Sequence, residues 1–201
     1  MKWSDWDPGM ASDDELISDV LKSMPQSPIK SVPKVVKMIE NPDSRFYLAG
    51  PASLRAHDLV HVILGRGLLA QDEAFVIGFT MGDALGAAAV DRLIFLNFST
   101  VLYPKPFKFS AADELVFNFA FDCGLSWKSK DIHRMEVKKV EKMSMASARA
   151  LFGLTRETLD KWYSYEANRL PSSRSSKRLT ANFKVAVRPV APDREIQGYK
   201  S

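Results

Sequence analysis

Apolar residues recur every three to four positions along almost the whole chain, and polar residues suited to helix caps bracket most of the runs. Ser12 and Glu15 form a capping-box pattern ahead of "LISDVLKSM". Pro33 suits the first turn of "PKVVKMIEN", which Pro42 closes. Pro51 opens a helix over "ASLRAHDLVHVIL", where Leu54, Leu59, Val60, Ile63 and Leu64 share a broad face. Gly65 and Gly67 break it, and a long helix follows from near Gln71 to about Asn97. After the proline loop "YPKPFKFS", Ser110 and Asp113 cap "ADELVFNFAFDCGLSW". A charged, exposed helix is expected from Asp131 to Ala150, and Thr155 caps "RETLDKWYSYEANRL". Only "NFKVAVRPV" alternates enough for a strand, and it has no evident partner. The pattern predicts an all-α fold.

The chain of 201 residues is long enough for one domain with a substantial core, and its hydrophobic content of 46% is that of a folded protein. The composition shifts at Pro171, where "PSSRSSKR" begins a serine-rich, basic stretch. The expected division is a helical domain over residues 1–170 and a basic, flexible tail over 171–201. That tail offers peripheral contact with an anionic membrane surface or an acidic partner. A net charge of +4 does not demand nucleic acid, and neither zinc-finger spacing nor an RNA-binding aromatic motif is present, so no nucleic-acid partner is expected. Cys123 stands alone in an apolar run and reads as a buried small hydrophobe. The N-terminal segment lacks the apolar core of a signal peptide. The longest apolar stretch, Ala74 to Val90, is interrupted by Asp83 and is short for a bilayer span. The expected location is therefore the cytoplasm, with membrane association through the tail. The oligomeric state stays open, a homodimer included.

The chemistry concentrates in "HDLVHVILGRGLLAQDE", residues 57 to 73. His57 and His61 lie four apart, so both imidazoles leave one helix face and offer half of a metal site. Asp58 points about 100° away around the helix, within reach as a further ligand or as an orienting acceptor. On a continuous helix Glu73 would lie about 18 Å beyond His61. A reversal at "GRG" brings it back beside the histidines. The candidate metal ligands are thus His57, Asp58, His61 and Glu73, and Asp58 is the candidate catalytic, proton-handling group. Two histidines and a carboxylate suit zinc or iron, with magnesium a further candidate. An H-E-x-x-H zinc protease would need glutamate where Asp58 stands. A His-Asp phosphohydrolase would need a histidine upstream of His57, and none is present. His133, in the charged "DIHRMEVKKVEK", reads as a surface residue.

The pattern H-D-x-x-H, eleven residues, then E resembles the metal motif of the fourth coenzyme-Q-biosynthesis protein, the Coq-four family, at His57, Asp58, His61 and Glu73. The surrounding "LRAHDLVHVILGRG" resembles it as well, and "ARALFGLTRETL" gives a weaker echo. The resemblance implies an all-helical fold, a bound divalent ion, and a pocket for an isoprenoid or prenylated-ring ligand. It also implies a part in oxidative replacement of the ring C1 carboxyl by hydroxyl. Two other readings are open. One is a non-catalytic lipid- or protein-binding module with a structural metal, and the other is a metal-assisted hydrolase. Gly78, Gly82 and Gly86, spaced by four, form a smooth helical strip that suits either close approach of another helix or the floor of a groove for an acyl or isoprenoid chain.

Overall fold

In the computed structural model of the protein, described over residues 2–10, 13–25, 52–101, 108–127 and 131–186, the chain is all-α. The α-helices are α1 (Ile17–Lys22), α2 (Leu54–Leu64), α3 (Ala70–Asp83), α4 (Ala89–Val101), α5 (Ala111–Trp127), α6 (Val137–Val140), α7 (Met145–Leu151), α8 (Arg156–Arg169) and α9 (Arg174–Ala186). Short 3-10 turns occupy Trp3–Asp5 and Ile132–Arg134. Among the described residues there is no strand, only an antiparallel bridge between Leu16 and Ser144. No helix among them is long and apolar enough to cross a membrane.

Glycines decide how the two central helices meet. A Cβ at Gly78 would lie 2.5 Å from the Phe117 carbonyl oxygen, and one at Gly82 would collide with the carbonyl of Phe121. The contact is reciprocal: a Cβ at Gly124 on α5 would strike Phe79 O and come within 2.6 Å of Asp83 N on α3. Helices α3 and α5 therefore cross backbone to backbone, and the strip serves helix packing, not a groove. Gly86 is not part of it. Helix α3 stops at Asp83, well short of Asn97, and Gly86 sits in a turn with φ of +82°. Asp83 there accepts a bond from the Ile132 amide at 2.8 Å, and Asp131 accepts one from the Leu85 amide at 2.8 Å, so side chains from the next layer hold the break open. Gly82→Leu should accordingly destabilise the protein by about 1 to 3 kcal/mol, near the top of that range because backbone and not a rotamer stands in the way. Thermal unfolding of the variant checks this, and an unchanged midpoint would contradict the crossing.

Around this pair the core is strongly aromatic. Phe95 of α4 stacks on Phe117 at 4.9 Å between ring centres, Phe75 meets Tyr163 edge-on at 5.4 Å, and Trp127 meets Trp162 at 5.3 Å. Cys123 is buried, as expected, and burial pushes its thiol up to about 12.

Several expected elements differ. Ser12 and Pro33 to Pro51 lie outside the described residues. The single exposed helix from Asp131 to Ala150 is instead three short pieces, with Ile132, Val140, Met145, Ala148 and Arg149 buried. His133 is buried too, not on the surface, and burial pulls its pKa below the usual histidine value. The stretch read as the start of a flexible tail forms α9, which packs on α8 and buries Ser175, Ser176 and Leu179. Ser173 starts it as a helix cap, accepting from the Ser176 amide at 3.1 Å. The strand expected in "NFKVAVRPV" is helical up to Ala186. Two of the basic residues assigned to membrane contact are engaged internally: Arg174 with Asp5, and Arg178 with the carbonyls of Ser4 and Trp6.

Candidate metal centre

Helix α2 carries the two histidines and is fixed at both ends. Ser53 caps its start, its hydroxyl accepting from the Ala56 amide at 3.2 Å. At the other end Gly65 adopts the left-handed conformation, with φ of +69°. The amides of Gly65 and Arg66 bond back to Val62 O at 3.0 Å and His61 O at 2.8 Å, which closes the helix and reverses the chain. Arg149 donates to Ile63 O at 3.0 Å, and the Tyr163 hydroxyl donates to Leu64 O, so the last carbonyls of α2 are satisfied although buried. Helix α3 then starts at Ala70, with Asp72 accepting from the Leu69 amide at 3.1 Å.

This reversal returns Glu73 to the level of the histidines. His57 Nε2 lies 3.1 Å from His61 Nε2 and 3.1 Å from Glu73 Oε2, and His61 Nε2 lies 3.4 Å from Glu73 Oε2. Ligand atoms about 2.1 Å from an ion stand about 3.0 Å apart in octahedral geometry and about 3.4 Å apart in tetrahedral geometry. The three edges fall in that interval. Residues His57, His61 and Glu73 thus form a group able to hold a metal ion. Asp58 is not among them. It is half-buried beside the group, and burial raises its carboxyl above the ordinary value, opposed by the two histidines and assisted by Glu73.

The protonation pattern supports the same chemistry. The 2.8 Å contact between His61 Nδ1 and the Gly67 carbonyl requires a proton on Nδ1, because a carbonyl only accepts. With Nδ1 held by that carbonyl, Nε2 is the ring nitrogen that His61 turns toward His57 and Glu73. Burial opposes ionisation of Glu73, but the charge of His61 and hydrogen bonds from His57 and His61 outweigh it and hold the carboxyl well below the usual range. The side chains grade from closed to open. His61 is 1% exposed, Glu73 14% and His57 24%, so the group is most accessible at His57.

Behind the centre lies a buried polar network that the motif does not reveal. Arg66, fully buried, pairs with Glu166 of α8 through two contacts, one of them at 3.1 Å. Its guanidinium lies between Phe75 and Tyr163, 3.8 and 4.4 Å from the ring centres. Gln71 donates to Glu166 and, at 3.2 Å, to Ser176, while Ser175 donates to Asp72. A sequence signal for Glu166 exists. It follows Leu159, Trp162 and Tyr163 at helical spacing, an acid on the apolar stripe of α8.

No family model, curated protein or solved structure matches the chain.

Proposed function

We propose that the protein is a metal-dependent enzyme of the kind its motif resembles, the Coq-four family, acting in oxidative C1 decarboxylation of a prenylated aromatic ring. The observation that carries this is the triangle of His57 Nε2, His61 Nε2 and Glu73 Oε2, with edges of 3.1, 3.1 and 3.4 Å and its exposed side toward solvent. A structural metal is normally closed by four protein ligands, whereas a catalytic one keeps an open position. Two histidines and one carboxylate with open positions suit iron that handles oxygen, and zinc in the same place would act as a Lewis acid only. A divalent ion with these ligands keeps a net positive charge and so favours an anionic oxygen donor such as a ring carboxylate. Asp58, beside the ligands and raised by burial, is the proposed proton carrier.

The test is incubation of iron(II)-loaded protein with a prenylated aromatic carboxylic acid, dioxygen and a two-electron reductant such as ascorbate, one oxygen atom ending in the ring hydroxyl and the other in water. Carbon dioxide release and a ring hydroxylated at C1 are expected, and both should be lost in His61→Ala. Tight metal binding with no carbon dioxide released would replace this reading with the binding module that carries a structural ion.

A further inference from the structure

His61 Nδ1 is held by an atom outside the triangle, the carbonyl oxygen of Gly67 at 2.8 Å, and α9 supplies one of the walls around Gly67. Gly67, unlike Gly65, does not have positive φ, so its backbone does not require glycine. Space does. A Cβ there would stand 2.7 Å from Trp6 O, 3.0 Å from Asp72 Oδ2 and 3.1 Å from Arg178 Nη1. Each wall of this cradle is itself tied to α9 or α3. Arg178 reaches the Trp6 carbonyl at 3.5 Å and also bonds Ser4 O, which pins the N-terminal segment against the turn. Asp72 is held by Ser175 of α9 and by the Leu69 amide at 3.1 Å. The Trp6 side chain is buried and anchored by its indole N–H to Ser23 at 3.0 Å.

We infer that Arg178 and Gly67 act as a positioning pair for His61, so that α9 sets the affinity of the metal centre through the Gly67 carbonyl. This rests on the metal reading above. Partners of a ligating histidine's second nitrogen fix its tautomer and ring orientation, and their loss typically lowers metal affinity about 10- to 100-fold. Arg178 touches no ligand, so it acts only through the position of residues 6 and 67.

The test is cobalt(II) titration of the full chain, followed by visible absorption, for wild type, Gly67→Ala, Arg178→Met and the exposed Lys177→Met as control. Circular dichroism reports folding, and nitrogen NMR of the metal-free protein reports the His61 tautomer. Arg178→Met should bind cobalt about 10-fold more weakly with helicity retained and should show a mixture of His61 tautomers, while Lys177→Met matches wild type. Gly67→Ala should lose at least as much, and Arg178→Lys should restore part of the loss. If Gly67→Ala fails to fold, Arg178→Met decides. Wild-type affinity and a pure Nδ1–H tautomer in Arg178→Met would overturn this inference alone, as would an Nε2–H tautomer in the wild type. A wild-type chain that binds no cobalt would overturn the metal reading and this inference with it.

Discussion

Replacing Glu166 with alanine should cost the fold about 3 to 5 kcal/mol, because it leaves the Arg66 guanidinium charged, buried and without its carboxylate. Arg66 has no exposed surface, and its other polar contacts are long: 3.5 Å to Asp72 and 3.5 Å to Ser175. Gln71 loses an acceptor in the same variant. For a chain of this size the loss corresponds to a fall of about 6 to 20 °C in Tm. The intact pair is a different matter. Burying two charges is expensive, and apolar replacement of both partners is often close to neutral. Arg66→Met combined with Glu166→Leu should therefore recover a good part of what Glu166→Ala loses. Denaturant unfolding of the three variants checks the pattern, and a Glu166→Ala protein within about 1 kcal/mol of wild type would contradict the buried pairing.

Deleting residues 171–201 should be more damaging still. The deletion removes α9, and with it the buried Leu179, whose burial alone is worth about 1.5 to 3 kcal/mol. It also strips Asp72 of Ser175 and Gln71 of Ser176, each leaving a buried polar group short of a partner at about 1 to 3 kcal/mol. The sum approaches the whole stability of a typical domain, so the truncated chain should lose its cooperative unfolding transition. A truncated protein that melts like the full chain would show that α9 contributes nothing to the core.

The sequence states this region's behaviour ambiguously, and the reason is physical. Serines and basic residues from Pro171 onward have the composition of a solvated tail. Yet Leu179, Phe183 and Ala186 recur at helical spacing, and Ser173 sits where a cap belongs. What composition misses is that small hydroxyl side chains can be core residues when a buried carboxylate and amide need partners, as Asp72 and Gln71 do. The group able to hold a metal is legible for a different reason. Helical spacing fixes which residues share a face, and the glycines at 65 and 67 mark the reversal, so the sequence alone brings His57, His61 and Glu73 together. Asp58 follows the same face only approximately and lies outside the group of His57, His61 and Glu73. The break after Asp83 was hidden because its cause, the bonds with Ile132 and Asp131, lies about fifty residues away in the chain. The burial of His133 is not legible because its charged neighbours do not reveal that Ile132 and His133 of the 3-10 turn face inward.

The central claim is that His57, His61 and Glu73 hold a metal ion, and metal content measures it directly. Protein purified and then reconstituted with zinc or iron(II) should carry about one ion per chain by elemental analysis. His61→Ala should retain less than a tenth of that under the same dialysis, because the ligand with the most buried side chain and the fixed tautomer is gone. A correctly folded wild-type chain that takes up no divalent ion on reconstitution would contradict the account.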